Sequence, residues 1–355
     1  MNILRKLLSH CLPIFQKDYL YCISIDKYTM KRFYFLIIGF LLLAHVNANA
    51  QTDSVKNYVV SALDLMKAKS VNKHRINWDS LYTDSRKKAE NIHTIRETYP
   101  LIKDILGDLK DAHSNFFPPE MVKDYTLGYR ATGQEFPVIE SKMIENQIAY
   151  IRLPGIACYH FAEWDEFVNT FYKKIEELNA KKPKGWILDL RDNGGGMFYP
   201  MFAALSPMLD KQNVIGTVDA EGQYAFFKYN TNGNLYEGKP LAHHFNIKKV
   251  PQQITKPIVV MVNKKTSSSG EFCTVAFAGQ KNVTVIGQNT MGLTSGNQEY
   301  KLSDGAFLVL TTGNIIDRNK KEYSKVGEGF SPQVKLKDLS DTGYMKTATE
   351  ILLKK

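Results

Sequence analysis

Apolar residues recur at helical spacing from Val55 to about Leu109. Tyr58, Ala62, Leu65 and Met66 form one stripe, and Ile95, Tyr99, Ile102 and Leu106 form another. The segment is rich in Lys, Glu, Leu and Ala and has no glycine before Gly107, so it predicts a small helical unit that Pro118 and Pro119 bring to an end. Short strand-like pieces follow, the clearest running from Gln147 to Ile156. Trp164, Phe167, Val168, Phe171, Ile175 and Leu178 then fall at i, i+3, i+4, i+7, i+11 and i+14, which is an amphipathic helix. A continuous apolar strand, Trp186 to Leu190, leads through Gly194, Gly195 and Gly196 into a second helical run from Met197 to Leu209. Strand, helix, strand, helix predicts a mostly parallel sheet covered by helices. The polar stretch from about Asp219 to Lys249 reads as a hairpin or surface insertion. The strand Ile258 to Val262 returns to the core, a helical pattern from Phe272 leads to the strand Val283 to Ile286, and Ala306 to Thr312 is expected to continue the same sheet.

The first fifty residues stand apart. From Met30 the chain reads MKRFYFLIIGFLLLAHVNANAQ: basic Lys31 and Arg32, an apolar stretch from Phe33 to Ala44, then Ala48-Asn49-Ala50. This is the pattern of a secretory signal peptide over residues 30–50, cleaved after Ala50. The alternative is a membrane anchor, but the apolar run is shorter than the roughly 20 residues that span a bilayer. Membrane association is therefore expected only if the segment stays uncleaved. Residues 1–29 lie upstream of a good start at Met30, read as a possible over-extended start, and are assigned no function.

The full chain of 355 residues carries a net charge of +10. Residues 1–50 hold six basic and two acidic residues, so the remainder stands at +6, with its basic residues scattered. So diffuse an excess is no nucleic-acid footprint. Beyond residue 50 the only cysteines are Cys158 and Cys273, both within apolar stretches and expected as buried free thiols. There is no C-x-x-C, and no metal or redox framework is expected.

Candidate chemistry centres on Ser267, Ser268 and Ser269, which sit where a buried strand becomes a helix. Unpaired backbone N–H groups and the helix dipole favour negative charge there, as the tetrahedral intermediate of acyl transfer requires. Serines are also common helix caps, and Ser268 and Glu271 have capping-box spacing, so both readings stand at this point. The triple glycine is a second turn at which N–H groups can approach a ligand. It lacks the spacings of nucleotide-binding loops. A serine also needs a base. Of six histidines beyond residue 50, His113 stands at the junction of the helical unit and the sheet, where clefts form.

Together these segments resemble the serine peptidases of family 41, the C-terminal processing (tail-specific) and tricorn-like proteases. YIRLPGI, GWILDLRDNGGG, VNKKTSSSGEF, IGQNTMG and GFSPQVKL are similar, in order, to five motifs of that family. The resemblance implies an α/β fold with a ClpP/crotonase-like mixed sheet and covering helices, preceded by the small helical N-terminal unit. On that basis residues 51–120 are the helical unit, 121–340 the catalytic domain of tail-specific-protease type, and 341–355 a C-terminal helix. The resemblance places the nucleophile on Ser268. It places the oxyanion hole on the N–H of Ser269 and of Gly196, with Gly195 beside it. Leu293 follows Gly292 where one branch has a lysine base, so a Ser–Lys dyad is excluded. His113 matches the histidine of the tricorn-like branch, whose acidic partner position is occupied by Val326. Glu328 is the nearest acid and is expected as the partner of His113, and Ala112 replaces the branch's second serine. About thirty residues separate His113 from the strand at Gln147, too few for an inserted PDZ module.

The function expected is a secreted or periplasmic serine endopeptidase working on polypeptides through an acyl-enzyme on Ser268. Neither a metal nor an organic cofactor is expected, and no feature assigns an oligomeric state. The alternative is a catalytically inactive peptide- or lipid-binding protein of the same fold, which the departures at Leu293, Val326 and Ala112 motivate.

Overall fold

In the computed structural model, which describes residues 53–354, two sheets divide the strands between them. The chain starts with helices α1 (residues 53–69), α2 (Trp78–Ala89) and α3 (Tyr99–Asp108), strand β1 (Asn115–Phe117) and helix α4 (Pro119–Leu127). Next come β2 (Ser141–Ile144), β3 (Ile148–Arg152), α5 (Phe161–Asn179), β4 (Gly185–Asp189) and α6 (Phe198–Leu205). The antiparallel run β5 (Ile215–Asp219), β6 (Tyr224–Tyr229), β7 (Asn234–Glu237) and β8 (Leu241–His244) precedes β9 (Ile258–Val262), α7 (Ser269–Ala276) and β10 (Val283–Gly287). Strands β11 (Ser295–Lys301), β12 (Phe307–Asp317), β13 (Glu322–Tyr323) and β14 (Val334–Lys335) and helix α8 (Asp341–Leu353) complete it. The expected signal segment lies outside the described residues.

The first sheet has the order β14-β10-β9-β4-β3-β2 and is parallel except for β2. Its central strands are buried on both faces, which is why they read as mainly apolar runs, with Asp189 the buried charge at the end of β4. Trp186, Leu188, Val260 and Val262 face the core formed with α5, α6 and α7. Ile187, Val259 and Met261 face the other way, onto Tyr344, Ala348 and Leu352 of α8. An ion-pair network clamps α8 there: Arg191 grips buried Asp189 through Nε and Nη2 and reaches Asp341 at 2.7 Å, with its guanidinium 4.6 Å from the Tyr344 ring centre.

The second sheet is antiparallel, β1-β12-β5-β6-β7-β8, with β11 and β13 also on β12. The run from Ala306 to Thr312 therefore belongs to this sheet and not to the parallel one. Two-sided burial makes a strand apolar in either sheet, and the pattern does not name the neighbour. Leu308 and Leu310 of β12 pack on the helical unit against Met66, Ile102 and Leu106, while Val309, Thr312 and Ile315 face a cleft. Of the expected helical stripes, Tyr58, Ala62, Met66, Ile102 and Leu106 are buried and Leu65, Ile95 and Tyr99 are half-buried against them, and the Tyr58 and Tyr99 hydroxyls donate to Asp304 in the β11–β12 turn. The segment from Asp219 to Lys249 is a set of hairpins, as expected, yet more than a surface insertion: Phe227, Tyr229 and Leu235 join the main core. Cys158 and Cys273 are buried free thiols. Burial and the neighbouring Glu163 push the Cys158 thiol up to about 12. Among the described residues no helix is long and apolar enough to cross a membrane.

Candidate active site

Strand β9 delivers the serine run and α7 receives it. Ser268 is the N-cap of α7 with φ +50° and ψ −124°, a conformation that costs a non-glycine residue about 1–3 kcal/mol and persists only where neighbours impose it. Glu271 is one such neighbour. Its fully buried carboxylate accepts the Ser268 N–H at 3.0 Å and the Leu293 N–H at 2.7 Å on one oxygen, and the Gly292 N–H at 2.7 Å and the Thr290 hydroxyl on the other. Burial pushes this carboxyl above its usual range, and the four donors pull it back.

The flanking serines tie the loop to the triple glycine. Ser267 Oγ donates to Gly194 O at 2.9 Å, and Ser269 Oγ donates to Gly196 O at 2.6 Å. Gly195 and Gly196 hold φ of +95° and +111°. A Cβ on Gly195 would stand 2.8 Å from Ser268 Cβ, and one on Gly196 would stand 2.2 Å from Ile156 O. Only glycine lets the two turns close this tightly.

The two glycines differ in what their amides are free to do. The Gly195 N–H donates to Asn193 Oδ1 at 2.9 Å, and Asn193 is itself buried and bonded to Leu153 O. Gly195 is thereby removed from the expected oxyanion donors and serves as the close-packed wall beside Ser268. Gly196 bridges to Ile156 through the neighbouring Met197 N–H, which donates to Ile156 O at 2.6 Å, and its own N–H has no acceptor among the described residues. The Ser269 N–H opens α7 and so lacks an intrahelical acceptor.

His113 reaches this place from the turn between α3 and β1. Buried Asp111 accepts the N–H of His113 at 2.9 Å and of Ser114 at 2.7 Å, and Ala112 takes φ +56°, which winds the turn tightly and aims the imidazole inward. His113 Nε2 lies 3.0 Å from Ser268 Oγ, and Nδ1 lies 3.0 Å from Ser295 Oγ at the start of β11. If Ser268 donates to Nε2, the proton sits on Nδ1 and Ser295 Oγ accepts it. Burial lowers the His113 pKa from its usual value, and Ser295 and Asp111 partly offset that.

Two expectations about the partner of His113 change. Glu328 is largely exposed and pairs with Lys325 at 3.4 Å, while Ser295 occupies the ring nitrogen an acid would need. Ser295 and the four-bond role of Glu271 were not expected. Glu271 had a signal in its capping-box spacing, whereas Ser295 is 182 residues from His113 and had none.

The pair opens into a cleft of about 440 Å³ walled by aromatic residues that include Phe117, Tyr125, Tyr199, Phe227 and Phe272. Among the described residues no cluster of three or more His, Cys, Asp or Glu side chains is placed to hold a metal.

The sequence profile of peptidase family S41 matches residues 147–336, more than half of the chain. The chain belongs to peptidase family S41. Ser268, Glu271 and the triple glycine fall within the matched segment, and His113 precedes it. The nisin-resistance protein of Lactococcus lactis is 33% identical over 146 residues, 41% of this chain and 45% of that protein. The carboxy-terminal processing protease CtpA of Bacillus subtilis is 26% identical over 209 residues, 58% of this chain and 39% of that protein. The chain thus matches less than half the length of either relative. Among solved structures, a lipoprotein from Streptococcus agalactiae superposes with a TM-score of 0.68 at 23% identity, over 85% of this chain and 97% of that one. The photosystem II D1 C-terminal processing protease superposes with a TM-score of 0.57 at 16% identity, over 83% and 97%. At these identities the two structures support the fold alone, and the fold is that of S41 proteases.

Proposed function

We propose that this S41 peptidase is a secreted or periplasmic serine endopeptidase with Ser268 as nucleophile and His113 as general base. The observation that carries the reading is the 3.0 Å approach of His113 Nε2 to Ser268 Oγ beside the N–H groups of Ser269 and Gly196. His113 takes the Ser268 proton as Oγ attacks the peptide carbonyl, and the two N–H groups hold the oxyanion that forms. Collapse breaks the C–N bond, and His113 returns the proton to the departing amine. Water then attacks the acyl-enzyme, giving its proton to His113, and Ser268 leaves as the restored alcohol. Ser295 acts as the positioning residue: its neutral oxygen accepts the Nδ1 proton and fixes the tautomer. Loss of one oxyanion donor in such sites costs about 3 kcal/mol, so amide placement counts beside the Ser–His pair. Export rests on the signal-like segment over residues 30–50.

The test is hydrolysis of an unfolded protein such as casein by wild type and Ser268→Ala, with circular dichroism on both. The reading predicts turnover by the wild type and loss of at least about 10³-fold in the variant. Turnover that survives Ser268→Ala overturns the assignment of the nucleophile. A folded wild type without turnover favours the binding-protein alternative.

A further inference from the structure

The cleft beside Ser268 carries a charge pattern opposite to that of the chain. The sequence has a net charge of +10, yet the described residues lining the cleft include no Lys or Arg and two glutamates, Glu237 at the end of β7 and Glu299 in β11. Neither glutamate takes part in an ion pair among the described residues, although 16 such pairs occur elsewhere. Each accepts one tyrosine hydroxyl from the cleft wall: Tyr199 donates to Glu237 Oε2 at 2.8 Å, and Tyr125 donates to Glu299 Oε1 at 3.2 Å. Burial, with the adjacent carboxylates, pushes both phenols far up, so they remain protonated donors. Glu299 is exposed and Glu237 half-buried, and the protein around the Glu299 carboxyl pushes its pKa upward. A carboxylate with no protein cation beside it is free to pair with one that a ligand brings, through a charge-assisted hydrogen bond.

The walls suit the stem that would carry such a cation. Phe117, Tyr159 and Met121 stand at the cleft, with Met121 and Tyr159 exposed, and present apolar and aromatic surface to an alkyl chain.

We propose that Glu237 and Glu299 form a cation-binding subsite of the substrate cleft, which selects peptides carrying a lysine or arginine side chain close to the scissile bond. This rests on the peptidase reading for its biological sense but not for its measurement. The two carboxylates repel an acidic side chain or a terminal carboxylate placed at the same point.

The test measures binding in the Ser268→Ala background, where no turnover occurs. Fluorescent octapeptides differ at one scanned position, which is lysine, norleucine or glutamate. At one position lysine is expected to bind about tenfold tighter than norleucine, and glutamate more weakly than either. Glu237→Gln/Glu299→Gln in the same background is expected to bring the lysine-to-norleucine ratio near one. If that double variant does not fold, Glu299→Gln alone is expected to reduce the ratio, and 0.5 M salt to reduce it without any substitution. Equal affinity for lysine and norleucine at every position, no measurable binding of any peptide, or a ratio that survives both substitutions overturns the subsite. Casein turnover without a lysine preference leaves the peptidase reading standing and removes the subsite. A lysine preference without turnover does the reverse.

Discussion

Glu271→Gln is the substitution whose cost can be worked most fully from the structure. The carboxylate is fully buried and has four donors, two on each oxygen. Replacing one oxygen with an amide NH₂ sets donors against donors on one side. Facing Ser268 and Leu293, the NH₂ would meet two backbone N–H groups that cannot adapt. Facing Thr290 and Gly292 it meets one hydroxyl that can turn and accept, although that oxygen already accepts the Phe330 N–H at 2.7 Å. The second orientation wins, and only the Gly292 N–H is orphaned, at about 1–3 kcal/mol. The bonds to Ser268 and Leu293 also lose their charge assistance, roughly 1 kcal/mol each. Relief of the buried charge, whose cost is visible in the raised Glu271 pKa, offsets part of this. The net expectation is a loss of about 2 kcal/mol. Glu271→Ala leaves all four donors without their acceptor, at about 4–12 kcal/mol, which rivals the whole stability of a typical domain and should prevent folding. Urea unfolding of both variants reads these outcomes directly. A Glu271→Gln protein as stable as the wild type, or a Glu271→Ala protein that folds with an unchanged midpoint, would refute the role given to this carboxylate.

Four further outcomes are expected. Ser295→Ala should lower kcat by about tenfold or more with KM little changed, since the imidazole loses the acceptor that fixes its tautomer; an unchanged kcat removes Ser295 from the relay. The acid limb of fluorophosphonate labelling should have its midpoint below the ordinary histidine value of 6.5, because buried His113 resists protonation. The same shift makes stability fall as pH drops through the window below 6.5, where the unfolded chain binds the proton and the fold does not, and a labelling midpoint at or above 7 contradicts it. Gly196→Ala should abolish labelling, because its Cβ would stand 2.2 Å from Ile156 O; labelling at the wild-type rate means that the two turns do not close on each other as described. Arg191→Ala strips buried Asp189 of its cation and should lower the unfolding free energy by about 3 kcal/mol, and a change under about 1 kcal/mol in urea counts against the clamp on α8.

What the sequence made legible follows the range over which each signal acts. The stripe from Trp164 to Leu178 and the strand ending at Leu190 are local patterns, and both are buried as read. The serine run was legible for the same reason, since a strand-to-helix junction is written in a dozen adjacent residues, but the choice of Ser268 among its three serines came from the family resemblance. His113 needed the family resemblance as well as its place at a junction. Ser295 was not legible: its position depends on the register of β11 against β12, where it stands opposite Asn314. Proximity in sequence misled in the case of Glu328, which borders a motif yet projects from the surface toward Lys325. The assignment of β12 to the parallel sheet failed because an apolar run reports burial and not pairing. Gly195 and Gly196 looked equivalent in sequence, and only the bond from the Gly195 N–H to Asn193 Oδ1 separates the wall from the donor.

The central claim is that one particular alcohol is activated for attack. A fluorophosphonate incubated with the wild-type protein, followed by intact-mass measurement and peptide mapping, tests it without any assumption about substrate. The account predicts one adduct per chain, on the peptide holding Ser268, and none in His113→Ala over the same interval. An adduct on another residue, or a folded protein that stays unmodified, would contradict it.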